Sequence, residues 1–148
     1  KKGKVGAKKI TVISDYGHHP TEVLATLKAA REKYPKKKIW CVFQPHQYQR
    51  TYYLFNDFVK IFSRLAESRS AGRIDNIIIT DIYDVAGREI KKIIAEVSSE
   101  KLVQKISKNN VKYIILRDLE KYIKENIKSG EVLIIMGAGD IYRLADKF

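Results

Sequence analysis

The stretch "KKITVISDYGHHPTEVLATLKAAREKY", Lys8–Tyr34, changes period in its middle, and that change decides the fold class. Its first part, "KKITVIS" (Lys8–Ser14), is rich in β-branched residues and reads as a strand. From Pro20 onward the apolar residues Val23, Leu27 and Ala30 recur at helical spacing. Pro20 suits a first helical position, and Glu22 suits the positive end of the helix. Between the two lies "SDYGHHPTE" (Ser14–Glu22), with an Asp-Tyr-Gly and two adjacent histidines that a mere corner would not need.

The alternation continues along the chain. "KIWCVFQ" (Lys38–Gln44) reads as a second strand, followed by a long helix from about Thr51 to Ser68 carrying Leu54, Phe58, Ile61, Phe62 and Leu65 on one face. "NIIITD" (Asn76–Asp81) is a third strand with almost no polar alternation, as expected where both faces are covered. Ile90, Ile93, Ile94 and Val97 keep helical spacing, with a collapsed apolar loop as the alternative, and Ser98 or Ser99 can cap the next helix, with Leu102, Val103 and Ile106. "VKYIIL" (Val111–Leu116) is the fourth strand. Asp118 then starts a helix with Leu119, Tyr122, Ile123 and Ile127, and "EVLIIM" (Glu131–Met136) is the fifth strand. Strands alternating with helices of this length imply an α/β fold: a Rossmann-like, mostly parallel sheet with helices on both faces. We expect one domain over residues 9–148, after a disordered or added basic start over residues 1–8.

Composition narrows the function classes. The chain has 148 residues, 45% hydrophobic and 31% charged, which suits one soluble domain with a sizeable core. Its apolar runs are too short to span a bilayer, and the start "KKGKVGAKK" does not read as a signal peptide. The single cysteine, Cys41, excludes an internal disulfide, fits a reducing compartment, and reads as a packing thiol inside "IWCVF". The formal net charge is +12, with five lysines among the first nine residues. That balance admits a basic binding module for nucleic acid or another polyanion; the plainer reading is a solvated surface.

In open parallel sheets ligands bind beyond the carboxyl ends of the strands. Those ends read "SDYGHHP", "QPHQYQR", "TDIYDVAGR" and "MGAGD", so every histidine of the chain gathers at one rim with Arg50 and several carboxylates. The opposite ends, "PKKK", "GRID" and "KNN", look like ordinary solvated turns. Consecutive histidines diverge and rarely share a metal; a set of His18, His46 and Asp15 or Asp81 is conceivable, but we expect no metal held by this chain. A histidine beside Arg50 can equally hold a carboxylate, or each histidine can be a structural hydrogen-bonding group. "GAGD" lacks the third glycine of a dinucleotide loop and reads as a turn with Asp140 capping a short helix. No P-loop, G-x-S-x-G elbow or H-E-x-x-H occurs.

The ordered set "SDYGHHPTE", "FQPHQYQRT", "TDIYDVAG", "VSSEKL" and "MGAGDI" resembles the C-terminal domain of the Mur ligase family, in particular of its UDP-N-acetylmuramate–L-alanine ligases. The resemblance runs from about Lys9 to Ile141. It implies one domain of a three-domain, ATP-dependent, amide-forming enzyme of peptidoglycan synthesis in the bacterial cytoplasm. ATP and Mg2+ would be held mainly by a central domain, UDP-N-acetylmuramate by the central and N-terminal domains, and L-alanine would be presented by this one. By motif position, Asp15 would touch the ATP ribose, Tyr16 and His18 would line the amino-acid site, and His46 and Arg50 would face them. His19 and Gln47 are secondary candidates. No catalytic group, membrane or nucleic-acid partner is implied, and the chain alone should be inactive. There are departures: Ser14 stands where the family has aspartate, and Gln47 where it has arginine. The lost cation leaves the amino-acid choice open between alanine, glycine and serine. "GREIKKIIAEVSS" departs from the shorter, proline-containing connection of the family.

Overall fold

A computed structural model of the chain describes residues 1–67, 71–85 and 90–148. Its sheet has six strands: β1 (Lys2–Val5), β2 (Lys8–Asp15), β3 (Ile39–Phe43), β4 (Asn76–Ile79), β5 (Val111–Tyr113) and β6 (Val132–Met136). They lie in the order β1-β2-β6-β3-β4-β5, with β1 antiparallel to β2 and all other pairings parallel. The expected α/β architecture is present. The helices are α1 (Pro20–Lys33), α2 (Tyr48–Tyr53), α3 (Phe55–Ala66), α4 (Lys91–Glu96), α5 (Ser99–Ile106) and α6 (Leu119–Asn126), with a terminal 3-10 helix at Asp140–Lys147.

Two apolar layers sandwich the sheet. On one face Val23 and Leu27 of α1, Phe58 and Phe62 of α3, and Leu102 of α5 pack on Ile39, Cys41, Phe43 and Ile134. On the other, Leu119 and Ile123 of α6 and Ile141 of the 3-10 helix pack on Trp40, Val42, Leu133 and Ile135. Strands covered twice need apolar residues at every position, which is why β3 ("IWCVF") and β6 ("VLIIM") are buried throughout. Cys41 is a packing thiol, and its burial pushes the thiol pKa well up.

Three expectations about elements are corrected. The start is not disordered: Lys2–Val5 pair with β2 through a two-residue turn at Gly6–Ala7. "KGKV" alternates, with Gly3 and Val5 buried and both lysines exposed; a side chain at residue 3 would meet Val12 Cγ2 at 2.6 Å and Phe148 O at 2.7 Å. The long helix begins earlier, at Tyr48, and breaks at Leu54. The break lets α2 turn toward α4, while α3 buries Phe58, Phe62 and Leu65 against the sheet. The expected end of that helix, Ser68, lies outside the described residues, as do residues 86–89 of "DVAG" and "GREIKK". "VKYIIL" is a strand only over Val111–Tyr113, and a 3-10 turn at Leu116–Asp118 leads into α6.

Of the expected solvated turns at the amino rim, "PKKK" is exposed, but "GRID" and "KNN" are structural. Ile74 of "GRID" is fully buried, and Asp75 accepts from Arg31 Nη2 at 2.7 Å and from the Ile39 amide at 2.8 Å. Arg31 Nε also donates to the Arg73 carbonyl at 2.7 Å. Asn110 of "KNN" bridges the carbonyls of Ala66 and Ile74. These bonds tie α1, β3 and the β4 approach together. We expect Asp75→Ala to cost about 2 kcal/mol, because it strips an acceptor from a half-buried guanidinium and a buried amide. A thermal melt should then fall by about 4–8 °C for a chain of this size; an unchanged melting temperature would refute the role given to Asp75.

The N-terminus of α1 has a capping box with histidine where serine or threonine usually stands. His19 Nδ1 accepts from the Thr21 amide at 3.2 Å, and Glu22 Oε1 accepts from the His19 amide at 3.0 Å. That second bond holds the Glu22 carboxyl below its ordinary pKa. A depressed carboxyl contributes stability above its unfolded-state pKa and loses it as pH falls through the folded-state value. Glu22→Ala should cost about 1 kcal/mol at neutral pH. Paired urea titrations should show the gap between variant and parent closing as pH falls below the ordinary glutamate range.

Candidate functional site

The loops that follow β2, β3, β4 and β6 meet at the carboxyl rim, and ladder hydrogen bonds extend into them. The Gly137 amide donates to the Asp15 carbonyl at 3.1 Å, the Gln44 amide to Met136 O at 3.0 Å, and the Thr80 amide to Phe43 O at 3.0 Å. The rim is therefore a continuation of the sheet, and its side chains inherit the register of the strands.

Four rings run across it. Tyr16 meets His18 edge to face at 5.7 Å, His18 meets His46 at 5.6 Å, and His46 stacks on Tyr83 at 5.3 Å with an interplanar angle of 12°. The expected site residues Tyr16, His18 and His46 are thus brought together from separate loops. Tyr16 is 71% exposed, so the row opens at one end to solvent. His18 Nδ1 lies 3.2 Å from the Tyr16 carbonyl and 3.9 Å from Glu22 Oε1. With Nδ1–H donating there, Nε2 is left for another partner.

Asp15 ends β2. Its Oδ1 accepts the Gly17 amide at 2.7 Å, while among the described residues Oδ2 has only a long contact, 3.4 Å, from Thr26 Oγ1. A carboxylate held on one oxygen and lightly used on the other suits a ligand hydroxyl. His19 is drawn away from the ring row by its capping role.

Gln47 and Arg50 follow His46 into α2. The Gln47 backbone sits at φ 69 and ψ 137, an uncommon conformation for a non-glycine residue. Hydrogen bonds hold it there: its amide donates to Tyr83 O at 2.8 Å, and its carbonyl accepts from both the amide and the hydroxyl of Thr51. Among the described residues Arg50 is half-buried and makes no ion pair, so its guanidinium has charge to offer.

Asp81 does not join a ligand set. It accepts from the Tyr113 hydroxyl and from the Leu116 amide, and burial followed by that hydrogen bond pushes the Tyr113 pKa up. Among the described residues no group of three His, Cys, Asp or Glu side chains is placed to hold a metal ion, and no helix is long and apolar enough to cross a membrane. Asp140 opens the last 3-10 helix without capping it; Gly139 holds the cap position. Sequence reasoning missed two contributors. Tyr83 stood in the quoted "TDIYD" without a role, and Thr26, about one helical turn after Val23 in α1, gave no signal beyond its hydroxyl.

Comparisons with known proteins bear on the family of the chain. A family model described as the Mur ligase, glutamate ligase domain matches residues 3–139. The chain is 44% identical over 142 residues to the UDP-N-acetylmuramate–L-alanine ligase of Clostridium tetani, covering 94% of this chain and 28% of that protein. The enzyme of the same description from Clostridium novyi is 43% identical over 150 residues, covering 99% of this chain and 29% of that protein. The chain therefore spans under a third of the length of these relatives. Among solved structures, the UDP-N-acetylmuramate–alanine ligase of Thermotoga maritima aligns with a TM-score of 0.63 and 27% identity, over 94% of this chain and 26% of that one. The murein peptide ligase of Psychrobacter arcticus, 19% identical with a TM-score of 0.55 over 93% of this chain and 26% of that one, shares the fold. With the family model matching most of its length and relatives at this identity, the chain belongs to the Mur ligase family, as its C-terminal domain.

Proposed function

We propose that this domain presents the amino acid and contacts the nucleotide in a cytoplasmic UDP-N-acetylmuramate–L-alanine ligase. The observation that carries the reading is the junction of His18 and His46 at 5.6 Å, from two loops, beside a helix bearing an Arg50 that has no carboxylate partner among the described residues. An amino acid offers one carboxylate and one ammonium. Imidazole N–H groups and a guanidinium suit the first through charge-assisted hydrogen bonds. Asp15, with one lightly used oxygen, suits a ribose hydroxyl.

In such a ligase ATP, with Mg2+ offsetting its charge, would transfer its terminal phosphoryl group to the carboxylate of UDP-N-acetylmuramate with loss of ADP, and the amine of the amino acid would then attack the acyl carbon, giving the amide and releasing phosphate and a proton. The residues here supply position. His18, His46 and Arg50 hold the carboxylate so that the amine faces outward, and closure of the rim over a central domain excludes water from the labile acyl group. By the family resemblance, UDP-N-acetylmuramate and Mg2+ are left mainly to other domains of the ligase. Gln47 in place of a family arginine removes a cation from this grip, so the preference among alanine, glycine and serine is set by fewer charges.

Two outcomes follow. The chain alone, given ATP, Mg2+, UDP-N-acetylmuramate and L-alanine, should release no ADP; turnover by the purified chain would overturn the reading. In a full-length ligase carrying this domain, Arg50→Ala should raise the KM for the amino acid by about ten- to a hundredfold, the worth of one charge-assisted hydrogen bond, with a smaller effect on kcat. Unchanged alanine kinetics would remove Arg50 from the site.

A further inference from the structure

Two motifs at the rim have no part in the grip on the amino acid: the tyrosine of "TDIYD" and the second glycine of "GAGD". The structure joins them. The ring of Tyr83 lies nearly parallel to that of His46, 5.3 Å away at 12°. The backbones are locked beside each other by a parallel bridge between His46 and Tyr83. The Tyr83 amide donates to Pro45 O at 2.8 Å and the Gln47 amide to Tyr83 O at 2.8 Å, one bond on each side of His46. On the remaining side stands Gly139. A side chain there would meet Tyr83 Cγ and Cδ2 at 2.6 Å and Gln44 Oε1 at 3.1 Å. Only glycine lets the β6 loop back the tyrosine ring this closely.

We propose that Tyr83, braced by Gly139, is a positioning residue that sets the plane of the His46 imidazole and so the direction of its N–H toward the amino-acid carboxylate. This rests on the functional reading above. Imidazole N–H groups lie in the ring plane, so tilting the ring moves the donor off its acceptor. A stacked neighbour restrains tilt without occupying either nitrogen, which a hydrogen-bonding neighbour could not do. The role asks for a flat ring and not for a hydroxyl. Tyr83→Phe should therefore preserve function, Tyr83→Leu should lose it while keeping apolar bulk, and Gly139→Ala should lose it by pushing the ring aside.

Two measurements test this separately. In the chain itself, the His46 Hε1 proton resonance reports the ring current of the stacked tyrosine; it should move in Tyr83→Leu and Gly139→Ala and stay in Tyr83→Phe. In a full-length ligase carrying the domain, the first two variants should raise the amino-acid KM about three- to tenfold, with kcat changing less, and Tyr83→Phe should match the parent. A His46→Ala control separates the failures. If it raises the KM while the displaced-ring variants do not, Tyr83 has no positioning role and the functional reading stands. If His46→Ala leaves the KM unchanged, the assignment of His46 to the amino-acid site fails, and this inference with it. Should Tyr83→Leu not fold, Gly139→Ala carries the same test with the tyrosine in place.

Discussion

Everything at the rim depends on the insertion of β6 between β2 and β3. Each residue of "VLIIM" is buried, and the strand is paired on both edges: Met136 stands level with Asp15 on one side and with Phe43 on the other. A strand enclosed on both faces and both edges cannot slip by one residue, because slippage would exchange its two apolar faces and break both ladders. The loops that begin at Asp15, Gln44 and Gly137 are consequently held level with one another. The contact between His18 and His46 is a product of that alignment, since the two histidines lie on loops after different strands.

The fold class, and the rim at which the unusual side chains gather, were legible because both are written in local sequence. β3 and β6 announce themselves as doubly covered strands by lacking polar alternation, and the unusual side chains all follow strand ends. The position of β6 in the sheet was not legible, because strand order is decided by packing that no window of sequence contains. Lys2–Val5 was misread because lysine and glycine suggest a solvated tail; only pairing with β2 shows that Gly3 and Val5 point inward. "GRID" was misread for the converse reason: its charges looked like surface until Asp75 met Arg31, 44 residues away. Tyr83 could be quoted but not interpreted, as its stack on His46 follows from the register of β3 beside β4.

The adjacent histidines divide their labour by helix geometry. His19 stands just before α1 with an extended backbone (φ -83, ψ 144), which directs its Nδ1 to the Thr21 amide. His18, one residue earlier, joins the ring row instead. A capping residue drawn from this loop ties the entry of α1 to the candidate ligand groups. Gln47 stores a different kind of tension. A non-glycine residue at φ 69 is held by three hydrogen bonds to Tyr83 and Thr51, an arrangement that fits a position where binding geometry outweighs local conformational ease.

The lysine-rich strand β1 has a bearing on how copies of the protein meet. An outermost strand offers unpaired backbone groups on which another chain can add a strand, the first step toward ordered aggregates. Here the Lys4 amide already reaches Phe148 O at 3.4 Å, and the absence of a side chain on Gly3 is what lets Phe148 approach. A newcomer would also have to lie against Lys2 and Lys4, both exposed, on a chain whose net charge of +12 repels a second copy. Two of the lysines behind the basic character that suggested a polyanion partner thus stand exposed along a sheet edge, where they oppose the addition of a strand. Salt, by screening that repulsion, would weaken the protection first at β1.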